Sequence, residues 1–203
     1  MELLIRLLRA AAGVRLAFGS PEGGVMMTYR LLAILGLLAS LAGCAGSGAG
    51  TGRLQKGEPA PPFVLSNIES GEEVNSLKVI QAHHATVITL WSMACPSCRE
   101  ALVDVQRVYE EYSPKSVAFI GIDFDLENLQ GVRAFIRGEG IEFPILWDQR
   151  RRVTRSFKAL DYTFSVFVVD RTGTLVLAQY DHPPDLERVL AKTLDGVLGK
   201  LVE

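Results

Sequence analysis

Val87 to Trp91 is short, rich in β-branched residues and apolar on both of its alternating faces, and it runs almost directly into Cys95-Pro96-Ser97-Cys98. A strand with that pattern belongs inside a sheet covered on both faces, not on a surface. The residues that follow, Pro96 to Tyr112, place Leu102, Val105, Val108 and Tyr109 at spacings of three and four, which gives a helix one apolar face. A buried strand therefore feeds a helix, and two cysteines stand at the junction.

The rest of the chain fits around that pair. Gly57-Glu58-Pro59-Ala60-Pro61-Pro62 is an extended, proline-stiffened lead-in, and Phe63 to Leu65 reads as a short strand. Asn67 to Glu73 reads as a turn with Gly71 at its tip. Val117 to Asp123 is a second apolar strand, Leu129 to Arg137 a helix stopped by Gly138 and Gly140, and Phe143 to Leu146 the start of another strand. Arg152 to Lys158 fits a short helix. Ser165 to Val169 and Thr174 to Gln179 form a hairpin about Asp170-Arg171-Thr172-Gly173, and Pro184 to Leu198 closes the chain as a helix. Strands alternating with helices, with a hairpin at one side, predict an α/β fold: a central mixed sheet with helices on both faces.

Composition narrows the function. The 203 residues carry 21 basic and 23 acidic side chains, a net charge of -2, which gives no footing for nucleic acid. The one basic cluster, Arg150-Arg151-Arg152 with Arg155 and Lys158, reads as a solvated helix face or loop.

The third cysteine, Cys44, lies elsewhere. It follows Arg30, an apolar run from Leu31 to Ala39, and small residues. The run is short for a membrane-spanning helix, which needs about 20 residues. Leu41-Ala42-Gly43-Cys44 resembles the lipobox of bacterial lipoprotein signal peptides. That resemblance implies cleavage before Cys44, diacylation of its thiol, and a domain anchored by lipid to the bacterial cell envelope, outside the cytoplasm. Residues 1–43 are then leader and signal peptide, with Met26-Met27 a more natural start than Met1. The alternative for residues 1–25 is an amphipathic leader. Residues 44–56 are the lipidated cysteine and a flexible tether, and 57–203 the folded domain.

Outside the cytoplasm thiols meet oxidants, and Cys95 and Cys98 have only each other within the chain once Cys44 is lipidated. Cys95 falls where a helix begins, and the free amides and partial positive charge of a helix N-terminus favour a thiolate. Pro96 suits the first helical turn. Cys98, one turn on, lies within disulfide reach and can resolve a mixed disulfide. A zinc site would need two more ligands, and His83 and His84 precede the strand, at its wrong end. A purely structural disulfide closing so small a loop would add little stability. No resident metal or cofactor is expected.

The segments GEPAPPFVL, VITLWSMACPSCREALVDVQRVYEEY, VAFIGIDFD, FPILWD and FVVDRTGTLV together resemble the thioredoxin superfamily, and most closely its membrane-anchored, TlpA-like thiol–disulfide oxidoreductases. The lead-in also resembles the peroxiredoxin-related branch. The resemblance implies a thioredoxin-like fold, Cys95 as nucleophile and Cys98 as resolving thiol. It implies a site bordered by Trp91, Ala94, Pro96, Ser97, Thr163 and Phe164. Its implied partners are thiols or disulfides of exported proteins, often in cytochrome c maturation, and a membrane-bound thiol reductase as electron donor.

Two positions depart from the family. Its cis-proline falls at Phe164, where a trans bond after Thr163 is expected, because a cis bond before a non-proline residue costs about 2.5–4 kcal/mol. Phe164 is expected to cover the cysteine pair or to form an aromatic docking surface. The family's buried carboxylate, six residues before the first cysteine, is replaced by Thr89, expected to be a strand residue with a satisfied hydroxyl; Glu100, on the first helical turn, is expected to be exposed. Two other functions compete: a non-catalytic module binding a partner or copper through both thiols, and a thiol-dependent peroxidase with Ser92 holding peroxide near Cys95.

The Cys44 assignment predicts that cells fed labelled palmitate mark the protein and that losing Cys44 removes the label and frees the domain from membranes. An unlabelled protein still carrying residues 28–43 would contradict it.

Overall fold

The structure, a computed structural model, describes residues 52–125, 129–161 and 163–200. The leader, Cys44 and most of the tether lie outside the described residues. The innermost strand is β3, Ala85–Trp91, with every residue buried. It pairs in parallel with β4, Val117–Asp123, where Trp91 faces Asp123. On its other side it pairs antiparallel with β6, Ser165–Asp170, where Leu90 faces Ser165. Beyond β4 lie β5, Ile145–Trp147, then β1, Val64–Asn67, then β2, Glu73–Asn75. Beyond β6 lies β7, Leu175–Gln179. The sheet is mixed: β3, β4 and β5 run parallel, while the β1–β2, β1–β5, β3–β6 and β6–β7 pairs are antiparallel.

Alternation along the central strands divides the core. Val87 and Trp91 of β3, Phe119 of β4, and Val166 and Val168 of β6 face helices α2, Pro96–Tyr112, α3, Leu129–Gly138, and α5, Leu186–Gly199. Ile88 and Leu90, with Ile120, Ile122, Phe167 and Val169, form the opposite face, shared with Ile80 of α1, Ser76–Ala82, and Val153 of α4, Arg152–Ser156. Each such fully buried aliphatic side chain stabilises the fold by about 1.5–3 kcal/mol relative to exposure. Leu102, Val105 and Val108, the stripe read from the helical spacing, are all buried, and Tyr109 packs edge-on against Phe119.

Differences from the sequence reading are local. Strand β2 and helix α1 were not anticipated. Helix α1 has seven residues, only Ser76 and Ile80 of them buried, so its apolar period is too short to register. Its start is nevertheless encoded: the Asn75 side-chain oxygen accepts the amides of Leu77 and Lys78. The strand expected at Phe143 begins instead at Ile145, because Phe143 turns into an aromatic cluster with Tyr109 and Phe119. The proline-stiffened lead-in hydrogen-bonds along the final hairpin, with the Gly57 amide on the Leu175 carbonyl and the Ala60 amide on the Gly173 carbonyl. This covers part of an edge that would otherwise be open for pairing. Among the described residues no helix is long and apolar enough to cross a membrane.

Gly121 lies in the middle of β4. A Cβ there would stand 2.3 Å from Ile145 Cδ1 and 3.3 Å from Phe143 Cε2. Overpacking of this kind costs about 1–3 kcal/mol. Gly121→Ala is expected to lower the unfolding free energy by that amount in urea denaturation, and an unchanged midpoint would show that β5 shifts freely.

Candidate active site: a disulfide at the start of a helix

Cys95 is the N-cap of α2, with extended backbone (φ -105°, ψ 107°), and Pro96 occupies the first turn. Its sulfur accepts the Cys98 amide at 3.2 Å, and the Ser97 hydroxyl lies 3.4 Å from the same sulfur. Cys95 and Cys98 are joined as a disulfide, with Cα atoms 5.2 Å apart. Cys95 is 4% exposed and Cys98 not at all, so an approaching group meets Cys95 first. The Cys98 amide on that sulfur, in the first turn of α2, is a donor of the kind that stabilises a thiolate.

The surroundings are part apolar and part polar. Trp91 is buried with its ring against Phe135, centroids 5.7 Å apart. Ala94, Pro96 and Ser97 are exposed around the disulfide. Thr163 is half-buried, and its hydroxyl donates to the Asp161 carbonyl at 3.4 Å. No cis peptide bond occurs among the described residues, so the Thr163–Phe164 bond is trans.

One of the two roles expected of Phe164, and the hydrogen bond expected of Thr89, differ from what the structure holds. Phe164 forms no aromatic docking surface: it is 1% exposed, lies in the buried cluster that holds both cysteines, and meets the His182 ring at 6.1 Å. The register of β6 explains this, since Phe164 lies one residue outside Ser165, on the face covered by α2 and α5. Thr89 is buried as expected, but its hydroxyl has no hydrogen-bond partner. Glu100 is exposed.

The residues the sequence reading missed are two aspartates at the end of β4. Asp125 takes the Ser92 hydroxyl on one carboxylate oxygen and the Met93 amide on the other, each at 2.6 Å. Ser92 Oγ in turn accepts the Ala94 amide at 3.1 Å, and Arg99 donates to the Met93 carbonyl at 2.6 Å. Asp123 is fully buried beside Trp91; one of its carboxylate oxygens accepts the Asp125 amide at 3.3 Å and the other has no partner. Burial, and then the neighbouring Asp125 charge, push the Asp123 carboxyl up to about 8. A signal for both was present: one acid ends an otherwise apolar strand and another follows two residues on, at the carboxyl edge of parallel strands where α/β folds place their sites.

Comparison with known proteins follows the same outline. Residues 56–178 match the model of the AhpC/TSA family. The sporulation thiol-disulfide oxidoreductase A of Bacillus subtilis is 27% identical over 158 residues, covering 74% of this chain and 88% of that protein. A Mycobacterium tuberculosis protein provisionally designated a peroxiredoxin is 27% identical over 142 residues, covering 64% and 88%. A crystal structure from Chlorobium tepidum, provisionally designated thiol:disulfide interchange protein DsbE, superposes with a TM-score of 0.64 at 21% identity, covering 72% of this chain and 99% of that one. At that identity the superposition speaks to the fold, which is thioredoxin-like.

Asp123 gives stability a definite pH dependence. Its folded pKa of about 8 lies above its ordinary value of 3.8, so the folded state holds a proton that the unfolded state has released. Its contribution to stability is full below pH 4 and falls as pH rises towards 8. Asp123→Asn is expected to flatten that decline in urea melts taken from pH 4 to 9. A decline as steep as in the wild type would place its origin elsewhere.

Proposed function

The chain belongs to the AhpC/TSA family and is a thiol–disulfide oxidoreductase, and from that premise we propose that Cys95 and Cys98 exchange disulfides with exported proteins in the bacterial cell envelope. The observation that carries this reading is the Cys95–Cys98 disulfide at a helix N-terminus, with only Cys95 reaching the surface. In the reducing direction the Cys95 thiolate attacks a substrate disulfide. One substrate sulfur leaves as a thiolate and takes a proton, and a mixed disulfide joins the other to Cys95. Cys98, deprotonated, then attacks the Cys95 sulfur. The second substrate thiol departs, and the enzyme is left as its disulfide. Two electrons pass to the substrate, and the enzyme needs an external dithiol to restore it.

The electron donor in this reading is a membrane-bound thiol reductase, and the lipid on Cys44 keeps the domain near it, with more than one acyl chain giving a stable anchor. Apocytochrome c, whose paired cysteines must be reduced before haem attachment, is one substrate of the right chemistry. This assignment rests on the TlpA-like character of the sequence.

A peroxidase is the second reading, favoured by the relative designated a peroxiredoxin. The site argues against it. The Ser92 hydroxyl, three residues before Cys95, already donates to Asp125 and accepts from Ala94, so its proton is not free to hold a peroxide.

Cys98→Ser removes the resolving thiol and should leave partners bound to Cys95. Expressed in a bacterial envelope, this variant is expected to yield mixed disulfides with exported proteins that collapse on reduction and are absent from Cys95→Ser/Cys98→Ser. Adducts confined to small thiols, together with rapid consumption of hydrogen peroxide by the wild type, would favour the peroxidase.

A further inference from the structure

Between Trp91 and Cys95 the chain leaves β3 and has no sheet partner, yet it must deliver the Cys95 sulfur to a fixed place. Three successive residues of this turn trace to one carboxylate. Asp125 receives the Ser92 hydroxyl and the Met93 amide directly, and the Ala94 amide rests on the Ser92 oxygen that Asp125 holds. The turn then closes onto the cysteine, because the Cys95 amide donates to the Ser92 carbonyl at 3.2 Å.

Asp125 is itself pinned from elsewhere. The Phe124 amide donates to the Trp91 carbonyl, the Trp147 indole donates to the Asp125 carbonyl at 2.9 Å, and Arg151 donates to the Phe124 carbonyl at 3.1 Å. The Asp148 amide donates to the Asp123 carbonyl at 2.9 Å. The end of β4 is thus tied to β3, to β5 and to the start of α4, and it offers a rigid support to the turn.

We propose that Asp125 is the positioning residue of the redox loop: its carboxylate sets the Ser92–Cys95 turn and thereby the line along which the Cys95 sulfur meets an incoming disulfide. Thiol–disulfide exchange passes through three nearly collinear sulfurs, so a small misplacement of the attacking atom is expensive in rate. Asp125 touches neither sulfur and acts through Ser92 and Met93. Burial and the neighbouring Asp125 charge favour the neutral form of Asp123, which keeps a second charge out of the same corner.

The proposal rests on the exchange activity above, and its test separates the two. The rate at which reduced full-length protein attacks a small aromatic disulfide is measured against pH, up to the plateau where Cys95 is wholly thiolate. Asp125→Ala is expected to lower that plateau about tenfold. Adding Ser92→Ala to it should lower the plateau less than twofold further, because both changes release the same turn. Val132→Ala, a core change of similar expected destabilisation, should leave the plateau in place. If Asp125→Ala does not fold, Asp125→Asn, which keeps one acceptor oxygen, and Ser92→Ala should each give a smaller drop. An unchanged plateau in the folded variants, a shift of the pH midpoint alone, multiplying losses, or an equal loss in Val132→Ala would overturn the proposal. A wild type inert towards disulfides would instead overturn the exchange reading on which it stands.

Discussion

The burial of β3 is the constraint on which the rest depends. All seven of its residues are shielded, with β4 and β6 on its edges and helices on both faces. Such a strand can end only at the rim of the sheet, and its continuation there becomes the start of α2. The disulfide thereby follows directly on the most deeply buried strand of the sheet. One cysteine caps the helix where free amides gather, and the other is carried one turn inward beneath it. The chemical inequality of the two sulfurs follows from that geometry.

Much of this was legible in the residues. Continuous apolar runs at Val87–Trp91 and Val117–Asp123 announced buried parallel strands, and the spacing of Leu102, Val105 and Val108 announced the helix between them. Cys95 and Cys98 were readable as a redox pair because of where those elements placed them. Asp123 and Asp125 were passed over for a physical reason. The β period shows which face a residue takes, but not which loop from another strand will fold back to meet it. Ser92 and Asp125 are 33 residues apart, and only the parallel pairing of β3 with β4 brings them together. Thr89 escapes the sequence on the same ground: its register neighbours, Gly121 and Val166, offer its hydroxyl no side-chain partner. Phe164 marks the site clearly in the sequence, but its inward orientation depends on the register of β6 against β3.

Phe164 and Thr89, the two positions singled out in the sequence, are both buried. Phe164 sets its ring against His182, which is itself held by Asp104 of α2 at 2.9 Å. Thr89 carries an unpartnered hydroxyl on the central strand, and the buried acid lies one strand over, at Asp123. Asp125, two residues past β4, bonds the turn that follows β3, so the sulfur and the carboxylate beside its turn follow adjacent parallel strands.

We propose that the helix terminus and the burial of its partner make Cys95 the attacking sulfur. Competitive alkylation of the reduced protein at pH 7, mapped by mass spectrometry at short times, reads this directly. Cys95 is expected to be modified well before Cys98, and faster modification of Cys98 would contradict that assignment.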